Sequence, residues 1–255
     1  MIGTLRRLIQ WLGSHSITVL AAVLLVVVGT WGFIKLADEV NEGETRKFDE
    51  WALRSLRQSN NPAQPIGPKW LHEAGRDITG LGGVTVLSLV TFAVAGYLWI
   101  VRKFHAMGLV IIATVSGLLV STALKYAIAR DRPDIVPHLS HVYTSSFPSG
   151  HSFLSAVVYL TLGSLLARLV PQYAVKIYFI AIAMLLTFLV GVSRVYMGVH
   201  YPTDVLAGWT AGLVWAIVCW LVARRLQQGG AVEKDTEQTE DLAANIPKAG
   251  PLKSP

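Results

Sequence analysis

The chain has 255 residues, 53% of them hydrophobic and only 15% charged, with a mean hydropathy of +0.49. Soluble domains carry roughly a quarter charged residues, so this composition argues against a soluble globule and for long membrane-spanning segments. The net charge of +6 sits mostly beside apolar runs without interleaved aromatics, which argues against a nucleic-acid partner, and the lone Cys219 excludes an intramolecular disulfide.

Arg6 and Arg7 precede an apolar run from Ile17 to Ile34. A secretory leader begins similarly, but this run has roughly the length of a full span and no small-residue cleavage pair follows it, so it reads as a retained first span. Five further spans are expected at Leu81–Ile100, Met107–Leu124, Phe153–Val170, Ile177–Val192 and Val205–Val222. The fold class is therefore all-α: a polytopic bundle of six transmembrane helices, with scattered Gly, Ser and Thr that allow close helix approach. Residues 1–225 form one membrane domain. Residues 226–255 are polar and proline-punctuated, and they read as a disordered cytoplasmic tail.

In a six-span arrangement Arg6, Arg7, Arg102, Lys103, Arg168, Lys176, Arg224 and Arg225 fall on one side. The bias of basic residues toward the cytoplasm makes that side cytoplasmic and places both termini there. The opposite side includes the segment 38–79, whose eight acidic and six basic residues leave it near neutral. Such a length is unusual for a bare loop. Phe48, Trp51, Leu53 and Leu56 follow a rough helical stripe, and Trp70 with Leu71 opens another after Pro68. One or two short interfacial helices are expected, with Trp51 and Trp70 at headgroup level. Lys125, Arg130, Arg132 and Arg194 are cations on the outer side that topology alone does not explain.

Three polar clusters carry the chemistry. Lys125 and Arg132 lie seven residues apart at the exit of the third span, so a persisting helix would present both in one direction, while Pro133 turns the chain out. Taken singly they read equally as basic residues snorkelling to headgroups. Pro148-Ser149-Gly150-His151 runs directly into the fourth span. Its local reading is a helix start capped by Ser149, and its first-turn N–H groups suit an anion. Ser193 to Asp204 joins the last two spans, with Pro202 and Asp204 in the first turn of the sixth and His200 four residues before the carboxylate. Span counting brings all three clusters to one face. A phosphate dianion needs several cationic partners and donors, and Lys125, Arg132 and Arg194 would supply them.

The ordered pattern Lys125-x6-Arg132-Pro133, Pro148-Ser149-Gly150-His151 and Ser193-Arg194-x5-His200-x3-Asp204 resembles the signature of the type 2 phosphatidic acid phosphatase superfamily, which also includes the vanadium haloperoxidases. The motifs cover residues 125–204, and the span plan extends the likeness over most of residues 17–222. The resemblance implies a metal-independent, cofactor-free lipid phosphatase of the bacterial inner membrane working through a phosphohistidine at the outer face. His200 would be the nucleophile, Asp204 its orienting partner and His151 the proton donor to the leaving oxygen. Lys125, Arg132, Arg194, Ser149 and Gly150 would hold the phosphate. Expected substrates are lipid mono- or diphosphates, with undecaprenyl diphosphate or phosphatidylglycerophosphate foremost. A vanadate-dependent haloperoxidase and a non-catalytic lipid-binding or flipping protein are the alternatives. Arg130, Asp131, Asp134, His138 and His141 lie in the same loop outside the motif positions and are expected to serve loop solvation or headgroup contact.

Overall fold

The computed structural model describes residues 16–139 and 144–228. The expectations for Arg6, Arg7, His141 and the tail beyond Gln228 lie outside them. Eight helices follow in order: α1 (Ile17–Glu42), α2 (Arg46–Ser55), α3 (Lys69–Gly80), α4 (Val84–Ile100), α5 (Phe104–Ala127), α6 (Gly150–Arg168), α7 (Tyr173–Tyr196) and α8 (Pro202–Gln228). A two-stranded antiparallel hairpin, β1 (Arg57–Gln58) and β2 (Asn61–Pro65), separates α2 from α3. The wholly helical expectation is corrected there. Two strands this short, the second containing Pro62 and Pro65, leave no alternating pattern to read.

Among the described residues five helices are long and apolar enough to cross a bilayer: α1, α5, α6, α7 and α8. A sixth crossing arises if α3 and α4, bent by 53° at the break between them, count together. α4 alone has 17 residues, near the lower limit for a span. The long helices also outrun their apolar cores. α1 continues past Ile34 to Glu42 through Lys35, Asp38 and Glu39, and closes on Gly43 in the left-handed conformation. Polar residues do not stop a helix that has already left the hydrocarbon; a Gly able to adopt positive φ does.

α6 is the axis of the bundle. It is the least apolar and most buried of the five long helices, because protein surrounds it where lipid surrounds the others. It packs against α5, α7 and α8, and α8 also lies along α1. Phe153, Leu154, Val157 and Val158 of α6 form the main core with Leu87, Ala113 and Ala183. Around that core, Leu24, Phe92, Leu119 and Phe188 point outward and stay exposed, as lipid-facing residues do. Gly208 and Gly212 of α8 seat directly on the backbone of α6. A Cβ at Gly208 would lie 2.6 Å from the Ser149 carbonyl oxygen, and one at Gly212 2.5 Å from that of Phe153. Small residues four apart let the helices cross at backbone contact.

At one end of the bundle Arg224 Nη2 donates to Ser16 Oγ at 2.9 Å, and the guanidinium groups of Arg168 and Arg224 both lie against Trp220. The three polar clusters gather at the other end, beneath α2, α3 and the hairpin.

Candidate active site

The start of α6 is built by its own sequence. Ser149 has an extended backbone, and its hydroxyl accepts bonds from the Ser152 N–H at 3.5 Å and the Ser152 hydroxyl at 3.0 Å. The Ser149 N–H donates to the main-chain oxygen of Asp204 at 2.9 Å. This single bond ties the second cluster to the third. Ser149 is fully buried and both recorded bonds are accepted by its oxygen, so its own proton is the part free to address a ligand. Gly150 faces α5: a Cβ there would meet Lys125 Cε at 3.3 Å and Ser121 Oγ at 3.5 Å. Any side chain at position 150 would press on the Lys125 stem.

His200 and Asp204 meet as expected. His200 Nδ1 is 3.4 Å from Asp204 Oδ2, and both side chains are buried. The same oxygen accepts the Tyr201 N–H at 2.9 Å and the Ser146 hydroxyl. With Nδ1 turned to the carboxylate, Nε2 is the nitrogen left to carry a lone pair, and it lies 3.3 Å from Arg132 Nη1. Burial, with the charges of Arg194 and Arg132 acting in the same direction, pushes the His200 imidazolium down to about 3 against the opposing pull of Asp204. Burial therefore favours the neutral ring.

Of the three motif cations Arg132 touches this histidine, while Lys125 and Arg194 act with it on the field at His151. Lys125 Nζ donates to Ser145 O at 2.7 Å, and Ser145 Oγ returns a bond to Lys125 O at 2.8 Å. Arg132 Nε donates to Thr144 O and its Nη1 to Val199 O, each at 2.7 Å. The helix does not persist to Arg132: α5 ends at Ala127, where bonds from Ser145 to Lys125 O and from Ser146 to Arg130 O take over, and Pro133 disfavours a helical conformation at Arg132 itself. Arg132 thus arrives by a braced loop, not by helical phase. Arg194 is almost fully buried; its Nη1 donates to Thr79 Oγ1 at 3.0 Å, while its Nε is buried with no partner. An orphaned buried guanidinium donor is suited to an incoming anion. His151 lies in the electrostatic field of Arg194, His200, Lys125 and Arg132 together. Its ring packs on the break between α3 and α4: a Cβ at Gly82 would lie 3.3 Å from His151 Cδ2.

All eight sequence-derived site residues therefore share one end of the bundle. Others were missed. Arg130, expected to serve loop solvation, is instead largely buried and bridges two carboxylates, Asp204 Oδ1 at 2.6 Å and Asp49 Oδ2 at 2.8 Å. Its guanidinium also stacks on Tyr201, 4.2 Å from the ring centre. Thr79, Ser146 and Thr203 complete the hydrogen-bonded shell. The one signal for Arg130 in the sequence was an outer-side cation without a topological reason. His138 keeps a loop role, its Nε2 lying 2.6 Å from Pro133 O. Among the described residues no cluster of three or more His, Cys, Asp or Glu is arranged to hold a metal ion.

A family model described as the PAP2 superfamily matches residues 105–228, which hold all three motifs. Phosphatidylglycerophosphatase B of Bacillus subtilis (strain 168) is 36% identical over 185 residues, spanning 71% of this chain and 86% of that protein. Undecaprenyl-diphosphatase of Sulfolobus acidocaldarius is 29% identical over 129 residues, 48% of this chain and 58% of its own length. The crystal structure of a transmembrane PAP2-type phosphatidylglycerolphosphate phosphatase from Bacillus subtilis superposes with a TM-score of 0.72 at 30% identity, covering 79% of this chain and 96% of that one.

Proposed function

Since this chain belongs to the PAP2 superfamily and is a membrane lipid phosphatase, we propose that it removes the terminal phosphate of a lipid phosphate at the outer membrane face through a phosphohistidine on His200. One observation carries this reading. His200 is buried with Nδ1 on Asp204 and Nε2 facing the guanidinium of Arg132, and the nearby motif residue Arg194 holds an orphaned donor.

In the first step Nε2 forms a bond to phosphorus as the bond from phosphorus to the lipid oxygen breaks. His151 passes a proton to that oxygen. The entering phosphate is the negative partner that a protonated His151 needs among three cations. Asp204 stabilises the positive charge that develops on His200. Lys125, Arg132, Arg194 and the first-turn N–H groups of α6 hold the equatorial oxygens, which is most of the catalysis that phosphoryl transfer requires. In the second step water attacks phosphorus, His151 takes its proton, and inorganic phosphate leaves His200. Three fixed cations perform the charge neutralisation that metal ions supply elsewhere.

Among lipid phosphates, likeness to phosphatidylglycerophosphatase B over most of its length favours a phosphatidylglycerophosphate headgroup over undecaprenyl diphosphate. The aromatic side chains of Phe48, Trp51 and Trp70 project outward from α2 and α3, which supports seating these helices at the headgroup level of the outer leaflet. The Arg224–Ser16 end then faces the cytoplasm. Phosphate release by purified protein across phosphatidylglycerophosphate, phosphatidate, undecaprenyl diphosphate and lipid A, in excess chelator, tests the substrate class. Release should be fastest from phosphatidylglycerophosphate. Trapping of radiolabelled phosphate on protein after an alkaline quench, lost in His200→Ala, tests the intermediate. A His200→Ala variant with normal turnover overturns the mechanism.

A further inference from the structure

α2 is an amphipathic helix in the outer segment, and its inward face buries two residues completely, Leu53 and Asp49. An aspartate almost never goes to full burial without partners. Asp49 has a complete set. Its Oδ2 accepts from Arg130 Nη2 at 2.8 Å, the Thr203 hydroxyl at 2.6 Å and the Thr45 hydroxyl at 3.2 Å, and its Oδ1 accepts the Thr203 N–H at 3.2 Å. Arg130 reaches on through Nη1 to Asp204 Oδ1 at 2.6 Å. Asp204 in turn offers its other oxygen to His200. A continuous chain of contacts thus runs from a helix outside the family motifs to the histidine: Asp49, Arg130, Asp204, His200.

The charges along this chain matter as much as the geometry. A guanidinium bound to Asp204 alone would neutralise the carboxylate that must stabilise positive charge on His200. Asp49 draws on the same guanidinium, and two carboxylates with one cation keep a net charge of about −1 behind the imidazole. Arg130 can then fix the orientation of Asp204 without cancelling it.

We infer that Asp49 is a positioning residue for the reaction, setting through Arg130 both the orientation of Asp204 and its remaining negative charge, so that α2 forms part of the site. The inference rests on the phosphohistidine reading. It predicts that Asp49→Asn, which keeps the shape and an acceptor for Arg130, lowers kcat by about tenfold while KM for phosphatidylglycerophosphate stays near the parent value. The developing charge on His200 belongs to the transition state and not to substrate binding. Arg130→Gln should lower kcat further and lower the unfolding temperature, because it strands Asp49 as a buried, unpaired charge. Adding Asp49→Asn to Arg130→Gln should raise that temperature again and cost no further activity.

The experiment is a double-mutant cycle on the purified full chain in detergent micelles, reading kcat, KM and thermal unfolding for phosphate release from phosphatidylglycerophosphate. If Asp49→Asn does not fold, Arg130→Lys carries the test: it keeps one cation between the carboxylates but cannot fork to both, and kcat should fall with KM unchanged. A folded Asp49→Asn variant with parental kcat, a loss confined to KM, or strictly additive losses in the double variant would each overturn the inference. A parent protein that releases no phosphate, or forms no histidine-bound phosphate, would instead overturn the reading beneath it.

Discussion

Gly208 offers the most direct test of how tightly the two halves of the site are registered. A Cβ at this position would lie 2.6 Å from Ser149 O, 2.9 Å from Ser152 Cβ and 3.2 Å from Phe153 N. Two of these three atoms are backbone, so no rotamer change relieves the clash. Restoring an ordinary contact of about 3.5 Å to the Ser149 oxygen needs roughly 0.9 Å of separation between the helices. That movement falls on the start of α6, which carries Ser149, Gly150 and His151, and on the first turn of α8, which carries Asp204. It also strains the bond from Ser149 N–H to Asp204 O. Overpacking of this kind costs about 1–3 kcal/mol, which a bundle of this size survives. A misplacement near 1 Å costs catalysis about a hundredfold. Gly208→Ala should therefore lose about two orders of magnitude in kcat while helix content remains. Gly32→Ala is the control, since a Cβ at Gly32 meets nothing within 4 Å. The assay is phosphate release in micelles, with circular dichroism on the same preparations. A Gly208→Ala protein with kcat inside the experimental error of the parent would refute the claim that backbone contact between α6 and α8 sets the site.

Two further expectations concern the charged groups. The His200 imidazolium is held far below its unfolded value, so the unfolded chain takes up a proton as pH falls below about 6.5 while the folded chain does not until about 3. The stability contributed by neutral His200 is complete above that window and is lost on acidification through it. Thermal unfolding in detergent should fall from pH 7.5 to pH 5, and His200→Gln should flatten that fall. Thr79→Val removes the acceptor for Arg194 Nη1 and leaves a buried charged donor unpaired, at a cost of about 1–3 kcal/mol. Inhibition by inorganic phosphate should weaken by about tenfold, because the misplaced guanidinium belongs to the proposed anion site.

The long apolar helices and the three motifs were legible because each is a local pattern. Periodicity and run length find a span, and a fixed spacing such as the four residues from His200 to Asp204 finds a pair. What stayed hidden required partners remote in sequence. Arg130 looks like an ordinary loop cation until Asp49, 81 residues earlier, and Asp204, 74 later, are known to flank it. Asp49 itself sits among exposed charges on α2, and nothing local separates it from Glu50, whose partners are the exposed Arg46 and Arg54. The helix ends were misjudged for a different reason. Hydropathy reports where lipid stops, whereas α1 runs on to Glu42, eight residues beyond the apolar run expected to end at Ile34.

The seating of α8 between α1 and α6 bears on how the molecule is made. During synthesis the chain emerges N-terminus first. The first helix must wait beside a gap that only the last one fills. Lys125, Arg132 and the capped turn at Ser149 are all in the membrane before His200 and Asp204 have been translated. A nascent chain halted anywhere short of α8 therefore holds the cations without the histidine they are meant to serve.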